Sequence, residues 1–491
     1  MARYKIISSK TDTEPKKTNK RRIINQDIFK VAIFFAAVFF GMVFFLGYYL
    51  TFSASTVINN PYNKRSDQIK RAVIRGSILA EDGEVLAYTE KKDDDGEVRI
   101  YPYGSDFAHV VGFEAKGGLG IESSYNYYLL TSHENIFSKI FNELNGEKSM
   151  GDNMVTTLDL GMQLQMNNIL GRNAGAIIAI DPSTCEIKGM VSHPGFDPNE
   201  ISEIWDEIVS DEDSSVLLNR ATQGTLTPGS TFKIFTLLEY YREKGSGVFD
   251  KTFECQGSIL AGDAIISCPY GRVHGEQDVV SAFANSCNCA FTRMGMELDL
   301  KLFEAGNNSL LFNSELPIDI ASKASSYTLP EGSSEFMVGQ TVFGQGQTLV
   351  SPVHLAMVTC AIANEGLLMK PHLVSEITDY KGNTVKTFKP EEAARLLNAD
   401  EAEFMKKCMR AVVTEGTGQI LYYEGNYLAY GKTGTAETQG DNGENYDHSW
   451  FTGFAENDGK TLVVCAMIEN MQEAGITGIY AAQQVFNYYF N

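Results

Sequence analysis

One stretch of the chain, Val31–Phe52, contains 22 residues and no charged side chain. A helix of about 20 apolar residues is long enough to cross the hydrocarbon core of a bilayer. A cleaved signal peptide is the alternative, but its apolar segment usually has only about 7 to 15 residues. We therefore expect residues 31–52 to form an uncleaved membrane anchor, followed by a large portion outside the membrane.

Charged residues are distributed unevenly around this segment. Residues 1–30 carry nine Lys or Arg and three Asp or Glu, and the next charge after the segment is Lys64. Positively charged flanks remain on the cytoplasmic side of a membrane. We expect a single-pass protein of the cell membrane, with residues 1–30 as a cytoplasmic basic tail and the remainder extracytoplasmic.

The total charge of the chain hides this asymmetry. The formal net charge is -21, and removing the +6 of residues 1–30 leaves -27 for the remainder. A strongly acidic surface repels phosphate backbones, which argues against a nucleic-acid partner. The chain has 491 residues, 43% of them hydrophobic, which is enough for a large core and a second domain.

The pattern of apolar and turn residues divides the external portion into two parts. Residues 53–158 show short strands and turns, with a hairpin signal at Asp82-Gly83, and predict a small α+β module near the membrane. Residues 159–491 begin with two strands within 174–195, continue with helices and end with three strands and a final helix, AAQQVFNYYF. This order predicts an α+β domain in which one antiparallel sheet is completed by both ends and covered by helices.

A serine and a lysine lie three residues apart in TLTPGSTFKIFTLLEYY, residues 225–241. Residues at this spacing share one face of a helix, so Ser230 and Lys233 would meet at its start. A lysine kept neutral by an apolar wall and a nearby cation can take the proton of the serine and make it a nucleophile. The alternative is a lysine whose stem packs on a core helix beside a serine cap, which is the ordinary meaning of this pattern alone.

Two further polar motifs follow on apolar or glycine-rich segments. They are S-C-N at residues 286–288, 56 residues after Ser230, and K-T-G at residues 432–434, 146 residues later. Each is common by chance, but S-x-x-K, an S-D-N-like triplet and K-T-G form the motif set of penicillin-binding proteins and class A β-lactamases. The chain resembles the class B penicillin-binding proteins, the membrane-anchored D,D-transpeptidases that cross-link peptidoglycan.

The resemblance extends over nearly the whole chain. Further matching segments are RGSIL at 75–79, GLGIE at 118–122, SYN at 124–126, IDPST at 180–184, LNRATQG at 218–224, GQG at 344–346, GKTGTAE at 431–437 and HSWFTGF at 448–454. The resemblance implies a serine-acyltransferase domain of the penicillin-binding protein and β-lactamase-like fold, with a five-stranded antiparallel sheet flanked by helices. It also implies an N-terminal α+β module of the pedestal or dimerisation type and one transmembrane helix.

The resemblance and the chemistry of acyl transfer together suggest roles for the motif residues. Ser230 is expected to attack the carbonyl between two terminal D-alanines while Lys233 takes its proton. Ser286 is expected to relay that proton to the leaving amine, and Asn288 to hold Lys233 and the peptide amide. Lys432 is expected to keep Lys233 neutral by its positive field and to attract the terminal carboxylate of the substrate.

Residues of the third motif and its successor would complete the substrate site. Thr433 and Thr435 are expected to offer hydroxyls to the substrate carboxylate, and Gly434 to let the strand backbone approach the ligand closely. By resemblance, the oxyanion hole consists of the backbone N–H groups of Ser230 and Thr435. No cofactor is expected.

The eight cysteines are too few for a disulfide framework in a chain of this length. Cys255 and Cys268 flank a hairpin-like stretch and are candidates for a disulfide, which the sequence leaves undecided. Cys287 and Cys289 lie two apart, and we expect no metal site because neither a paired C-x-x-C nor a set of nearby histidines accompanies them. As the middle residue of its triplet, Cys287 is expected to point away from the substrate.

Two other features suggest chemistry that we do not expect. The resemblance places His448 in a turn between two sheet strands, away from catalysis. The G-Q-G sequence at residues 344–346 is only a weak phosphate-loop signal, because no Lys-Ser or Lys-Thr pair follows it. We expect it to be a loop that supports the active site.

Three functions are compatible with the motifs. The favoured one is a peptidoglycan D,D-transpeptidase that acts through a Ser230 acyl-enzyme and is inhibited by β-lactams. A β-lactamase or D,D-carboxypeptidase is the hydrolytic alternative, but no clear Glu-x-x-x-Asn segment provides a base for water. A non-catalytic β-lactam sensor is the third, but residues 1–30 offer no evident signalling domain.

The resemblance also implies partners. These are peptidoglycan stem peptides, β-lactam antibiotics and the membrane, contacted through residues 31–52. Because no glycosyltransferase domain is evident, a polytopic SEDS-family glycosyltransferase is the implied protein partner, in an elongation, division or sporulation complex.

Overall fold

The computed structural model describes residues 18–48, 72–92, 96–423, 425–439 and 445–491. The chain divides into two compact units, Met1–Asn63 and Lys64–Asn491.

In the first unit, Thr18–Tyr48 form one helix, α1. Its portion Ile28–Tyr48 is long and apolar enough to cross a membrane. This portion overlaps the predicted anchor, although it begins three residues earlier. Residues 49–52 of that anchor lie outside the described residues, as do residues 1–17 of the predicted tail and 53–71 of the predicted module.

The second unit contains the remaining described helices and strands. The helices are α2 Gly120–Ser124, α3 Asn126–Leu129, α4 Ile136–Asn145, α5 Leu160–Leu170, α6 Ile201–Ser210, α7 Lys233–Lys244, α8 Val279–Ala284, α9 Asn288–Met296, α10 Leu300–Ser309, α11 Glu335–Thr341, α12 Pro352–Ala363, α13 Ala399–Thr414, α14 Ile420–Tyr423, α15 Met471–Ala474 and α16 Gly478–Phe490. The strands are β1 Val73–Ile74, β2 Ile78–Leu79, β3 Val85–Lys91, β4 Glu97–Ile100, β5 Ser149–Met150, β6 Asn153–Thr156, β7 Gly175–Ile180, β8 Ile187–His193, β9 Thr252–Cys255, β10 Ser258–Ala261, β11 Ala264–Ser267, β12 Gly275–Asp278, β13 Leu367–Met369, β14 Val374–Thr378, β15 Thr384–Thr387, β16 Glu392–Arg395, β17 Leu428–Gln439, β18 Asn445–Asn457 and β19 Lys460–Ile468.

Five strands form the sheet that the sequence predicts, in the order β17-β18-β19-β7-β8. All four pairings are antiparallel. Strands from residues 175–193 therefore pair with strands from residues 428–468, so the two ends of the predicted domain complete one sheet. Strand β17 is an edge strand of this sheet. One side of its backbone therefore has no neighbouring strand in the sheet.

Both faces of this sheet are apolar, which explains why helices cover it on two sides. Along β19, Val463, Cys465 and Met467 belong to one core cluster, whereas Val464 and Ala466 belong to another. Successive side chains of a strand point to opposite faces. A continuous apolar run such as LVVCAMI therefore requires cover on each face, which α12 provides on the first and α5 and α16 on the second.

A second sheet has six strands, in the order β15-β14-β6-β2-β3-β4. The predicted hairpin at Asp82-Gly83 is confirmed, because β2 and β3 pair antiparallel on either side of it. Strands β14 and β15 come from residues 374–387 and pair into this sheet through β6. The boundary between residues 158 and 159 stays a prediction, and the strands before it share a sheet with residues far downstream.

A buried carboxylate joins the segments that begin this unit. Glu122 is 1% exposed, and its carboxylate accepts hydrogen bonds from Arg75 Nε at 2.5 Å and Arg99 Nε at 2.7 Å. Burial opposes the charge of Glu122, but the two guanidinium groups outweigh it and hold its pKa below the ordinary value. Arg75 also donates to Asn126 Oδ1, so the RGSIL, GLGIE and SYN segments meet in one structural network.

Candidate active site

The first motif begins on a single 3-10 turn, Gly229–Phe232, which continues into α7 from Lys233. In 3-10 geometry the side chains of residues i and i+3 eclipse each other. Ser230 Oγ lies 3.0 Å from Lys233 Nζ. The two side chains therefore meet as predicted, on a tighter turn than the α-helix that the spacing suggested.

Glycines allow this turn to pack against its neighbours. Gly229 has φ +53°, and a Cβ there would lie 2.3 Å from Thr435 O. Gly344 has φ +82°, and a Cβ there would lie 1.9 Å from Gly229 O. Gly229 N also donates to Gly344 O at 2.9 Å. The G-Q-G segment therefore supports the turn that carries Ser230 directly, as expected.

The amine of Lys233 is the centre of the site. Its Nζ lies 2.8 Å from Ser286 O, 3.1 Å from Ser286 Oγ and 2.7 Å from Asn288 Oδ1, in addition to the contact with Ser230. A protonated amine has only three N–H donors for these four oxygens. A neutral amine has two donors, enough for the carbonyl oxygens of Ser286 and Asn288, and one lone pair, which can accept the Ser230 proton.

The backbone of the second motif turns its outer residues toward Lys233 and its middle residue away. Ser286 has φ +55°, and Cys287 is the N-cap of α9, whose first residue is Asn288. The Cys287 side chain is fully buried and contacts Cys268, as expected for a residue that does not face the substrate. Asn288 Nδ2 donates to Ser267 O at 3.0 Å, which fixes the orientation of its amide.

The third motif lies on the edge strand β17. Lys432 Nζ donates to Ser286 Oγ at 3.0 Å and to Thr433 O at 3.0 Å. The Ser286 hydroxyl therefore lies between the amines of Lys432 and Lys233. The side chain of Thr433 is hydrogen-bonded to Thr417, with 2.6 Å between the two Oγ1 atoms.

The backbone after Lys432 packs against the 3-10 turn Gly229–Phe232, which carries Ser230. A Cβ on Gly434 would lie 2.9 Å from Thr231 Cγ2 and 3.0 Å from Pro228 O. Gly434 is therefore needed for close packing against protein, whereas the sequence suggested an approach to the ligand. Thr435 is exposed, and its position beside Gly229 brings its backbone near Ser230.

Both lysines are fully buried. Burial lowers the pKa of Lys233 to about 7, and the nearby thiols of Cys287, Cys268 and Cys289 act in the opposite direction. Burial also lowers the pKa of Lys432 well below its ordinary value, and the charge of Lys233 lowers it further. The sequence alone suggests that Lys432 carries a constant positive charge, but burial makes this charge depend on a nearby anion.

His448 lies away from these groups. The expectation that it occupies a turn is wrong, because it lies within strand β18 and pairs with Ala436 of β17. Its Nδ1 accepts from Asn470 N at 3.4 Å. This contact holds a chain segment beside the sheet and leaves His448 out of the Ser230 and Lys233 network.

A cluster of sulfur and imidazole atoms lies behind the second motif. Cys255, Cys268, Cys287 and His274 place one donor atom each within 4.8 Å of one another. The sequence shows no set of histidines near these cysteines, but the fold brings one histidine, His274, together with three of them. Cys255 Sγ and Cys268 Sγ are 3.7 Å apart, and both thiols are free in this structure.

The chain matches a family model that covers the five-stranded sheet and its three motifs. The model of the penicillin-binding protein transpeptidase domain matches residues 175–490, which is more than half of the chain. The chain belongs to the penicillin-binding protein transpeptidase family. A second model, the penicillin-binding protein A dimerisation domain, matches residues 75–154.

Individual relatives of this penicillin-binding protein agree with the assignment. The peptidoglycan D,D-transpeptidase PbpA of Mycolicibacterium smegmatis is 29% identical over 443 residues, which cover 85% of this chain and 88% of the relative. The D,D-transpeptidase domain of a peptidoglycan glycosyltransferase from Eggerthella lenta is 28% identical with a TM-score of 0.74, over 84% of this chain and 97% of that chain. Penicillin-binding protein A of M. tuberculosis, in a ceftriaxone acyl-enzyme complex, is 25% identical with a TM-score of 0.75, over 86% and 98%.

Several residues of this penicillin-binding protein site were missed by sequence reasoning. The rings of Phe291 and Phe343 have their centroids 5.3 and 5.8 Å from Lys233 Nζ and form the apolar wall that the lowered pKa requires. Thr417 fixes Thr433, and Ser267 fixes Asn288. None of these residues carries a local motif, although Phe291 lies three positions after Asn288 and so on the same face of α9.

Proposed function

We propose that this chain is a peptidoglycan D,D-transpeptidase that forms an acyl-enzyme at Ser230 from the D-Ala-D-Ala end of a stem peptide. β-Lactams acylate the same serine and thereby inhibit the enzyme. The observation that carries the proposal is the buried Lys233 amine, 3.0 Å from Ser230 Oγ and with a pKa lowered to about 7. A base with this pKa accepts a proton efficiently at neutral pH.

Acylation follows from these contacts. Lys233 takes the proton of Ser230 as Oγ attacks the carbonyl carbon between the two D-alanines, and the carbonyl oxygen becomes an oxyanion. The backbone N–H groups of Ser230 and Thr435 are proposed to stabilise that oxyanion. When the C–N bond breaks, the terminal D-alanine leaves with a proton that passes from Lys233 through the Ser286 hydroxyl, which lies 3.1 Å from Lys233 Nζ.

The terminal carboxylate of the substrate is proposed to bind beside Lys432, Thr433 and Thr435. A carboxylate at this position favours the charged form of Lys432, whose pKa is otherwise lowered by burial. Substrate binding thus supplies the anion that the buried ammonium needs. Asn288 is proposed to contact the peptide amide while its Oδ1 holds Lys233 at 2.7 Å.

The second half of the reaction joins two stem peptides. An amino group of a neighbouring stem peptide attacks the acyl carbon of the Ser230 ester and forms the new amide bond. The attacking amine gives up a proton to Lys233, which is neutral after acylation, and Lys233 returns this proton to Ser230 Oγ as it leaves. The enzyme returns to its starting state, and one D-alanine has been released for each cross-link formed.

Intact-mass spectrometry of the detergent-solubilised full chain tests this function. A stable adduct of one penicillin per chain is expected, and Ser230→Ala should abolish it, whereas the exposed-loop control Ser183→Ala should not. Incubation with a stem peptide and an acceptor amine should then yield a cross-linked product. A short-lived adduct with consumption of penicillin would indicate a hydrolase, and an adduct without any peptide product would indicate a sensor.

The membrane arrangement is proposed on the basis of charge and length. The apolar helix Ile28–Tyr48 and the basic residues before it support a single-pass topology with residues 1–30 in the cytoplasm. Residues 53–158 are proposed as the membrane-near module and residues 159–491 as the transpeptidase domain outside. Protease added to wall-stripped cells should degrade the external part and spare an epitope tag at residue 1; the reverse result would invert the topology.

The proposed protein partner is a SEDS-family glycosyltransferase, which would supply the glycan strands that this enzyme cross-links. The resemblance to the class B penicillin-binding proteins, carried by the three motifs, supports this partner. Affinity purification of the full chain from membranes should recover a polytopic glycosyltransferase. The control chain, in which an unrelated apolar helix replaces the anchor, should not recover it. Equal recovery with both anchors would remove the anchor from the interface.

A further inference from the structure

Four donor side chains from separate segments converge behind the second motif. Cys255 ends strand β9, Cys268 follows strand β11, His274 precedes strand β12, and Cys287 caps helix α9. The three cysteines are 0 to 2% exposed, and the four donor atoms lie within 4.8 Å of one another. These residues are called the Cys3His cluster below.

The spacing of the donor atoms is that of ligands around one ion. Cys268 Sγ lies 3.7 Å from Cys255 Sγ and 3.8 Å from Cys287 Sγ, and Cys255 Sγ lies 3.4 Å from His274 Nδ1. Sulfur atoms about 2.3 Å from a tetrahedral zinc ion are separated by about 3.8 Å, and a zinc-bound nitrogen lies about 3.5 Å from each sulfur. The sulfurs of a disulfide are only about 2.05 Å apart.

Backbone amides are placed to stabilise thiolates at two of the cysteines. Gly257 N donates to Cys255 Sγ at 3.4 Å, and Ala290 N donates to Cys287 Sγ at 3.4 Å. The first contact depends on a sharp turn, because Gly257 has φ +90° and a Cβ there would lie 2.5 Å from Gly271 O. Hydrogen bonds to the charged form lower the energy of a thiolate, which is the form that binds metal.

The segment that carries three of the ligands has little apolar core of its own. Residues 252–278 form two separate two-stranded ladders, β9 with β12 and β10 with β11. Ala261 and Ile266 pack with Phe343 in a small separate cluster, and Phe253, Cys255 and Cys268 are the buried residues of this segment that belong to the main core. Small lobes with so few buried residues are commonly held together by a metal ion.

We propose that the Cys3His cluster binds one zinc ion, and that this ion positions the second motif for catalysis. Three thiolates and one imidazole are the ligand types that zinc prefers in a closed tetrahedral site. The site is structural, because all four positions are filled by protein and none remains for water or substrate. The positioning part of the inference rests on the proposed transpeptidase function, whereas the metal site does not.

The connection from the metal site to the catalytic amine is short. Cys287 stands between Ser286 and Asn288, and both of these bond to Lys233. Cys268 follows Ser267, whose carbonyl accepts from the Asn288 amide at 3.0 Å. An ion that ties Cys268 to Cys287 therefore fixes both partners of the Asn288 hydrogen bond and the backbone of Ser286.

A fourth thiol, that of Cys289, determines what happens without the ion. Cys289 Sγ lies 3.6 Å from Cys268 Sγ, outside the four-donor group. In an oxidising exterior, Cys268 then has thiol neighbours in Cys255, Cys287 and Cys289 with which it can form a disulfide. Ligation by zinc protects Cys268 from this oxidation, because the lone pairs of its thiolate are engaged with the metal.

Metal analysis of the full chain tests the site without reference to activity. The detergent-solubilised protein, exposed to zinc and passed through a desalting column, should retain about one zinc per chain. Cys255→Ser and His274→Ala should each reduce this content by more than half, whereas Cys408→Ser, at a buried free cysteine outside the cluster, should not. Replacement of zinc by Co²⁺ in the unaltered chain should give the visible absorption of tetrahedral cobalt bound to thiolate.

Acylation measured on the same samples tests the positioning role. Removal of zinc under reducing conditions should slow penicillin acylation at least tenfold, and added zinc should restore it. An unaltered chain that retains no zinc and gives no cobalt spectrum, or that contains a Cys255–Cys268 disulfide, would overturn the metal site. Equal acylation rates with and without zinc would overturn the positioning role alone and leave the transpeptidase function intact.

Discussion

Raising the pH from 6 to 8 should increase the rate of penicillin acylation at Ser230 about tenfold, after which the rate should level off before it falls at higher pH. The reason is the buried Lys233 amine, whose pKa is lowered to about 7. About a tenth of the amine is then neutral at pH 6, about half at pH 7 and about nine tenths at pH 8. Only the neutral amine accepts the serine proton, so the acylation rate follows this fraction.

The plateau is the diagnostic part of the profile. A lysine with an ordinary pKa of about 10.4 would give a rate that rises about tenfold for every pH unit up to pH 9. Lys432 acts in the opposite direction, because loss of its charge weakens the attraction for the carboxylate of the antibiotic. Its lowered pKa therefore predicts a falling limb at higher pH, and the two groups together predict a bell-shaped curve.

Stopped-flow measurement with a fluorescent penicillin, from pH 5.5 to 9.5, provides the profile. Lys233→Arg is the matched control, because a guanidinium stays protonated throughout this range and should acylate negligibly at every pH. Circular dichroism at each pH checks that the fold is unchanged. A flat profile, or a logarithmic rise that continues through pH 9, would remove a perturbed Lys233 from the role of base.

Three other substitutions test separate parts of the structure. Glu122→Gln leaves two guanidinium groups without a full counter-charge and should lower the free energy of unfolding by about 3 to 5 kcal/mol. The control Glu331→Gln, at an exposed ion pair, should change this free energy by less than about 1 kcal/mol. Urea unfolding measures both values. Gly344→Ala should abolish acylation, because the added Cβ would lie 1.9 Å from a carbonyl oxygen. The control Gly382→Ala is at a similar φ of +84° but has open space around it. It should lower the free energy of unfolding by about 1 kcal/mol and leave acylation normal. Ser286→Ala should slow acylation by between about 100-fold and 10,000-fold without changing the unfolding midpoint, and an unchanged rate would exclude its hydroxyl from the proton path.

The five-stranded sheet could be predicted because its signals are local. Apolar runs within 174–195 and after residue 427 mark buried strands, and antiparallel closure is the simplest way for two such ends to meet. The pairing of Ser230 with Lys233 could be predicted for the same reason, because helical spacing alone brings the two side chains together. The class of turn was not predictable, since a 3-10 and an α-helical turn both satisfy a spacing of three.

The six-stranded sheet could not be predicted from the same kind of signal. Hydrophobic alternation shows which face of a strand is buried and does not show which strand lies beside it. Residues 374–378 pair with residues 153–156, more than 200 positions away. The buried Glu122 was also beyond sequence reasoning, because its partners Arg75 and Arg99 become neighbours only after that sheet has formed.

The metal ligands illustrate a third kind of limit. Zinc motifs are recognised in sequences when two ligands lie a few residues apart on one turn, as in C-x-x-C. Here each ligand comes from a different position around a set of short strands, so no pair of ligands forms a motif. His274 lies six positions after Cys268 with the 3-10 turn Pro269–Gly271 between them, and only the folded chain brings their donor atoms within 4.8 Å.

The second motif contacts Lys233 through its outer residues and the neighbouring cysteines through its middle residue. The positive φ of Ser286 and the capping position of Cys287 turn the backbone so that Ser286 and Asn288 face Lys233 while Cys287 faces the opposite side. A side chain at the middle position therefore packs against the scaffold, on the side away from Lys233. A cysteine there can join the proposed metal site to the triplet without altering Ser286 or Asn288, the two residues that bond to Lys233. The geometry of Lys233 then depends on residues 252–278, which lie outside all three motifs.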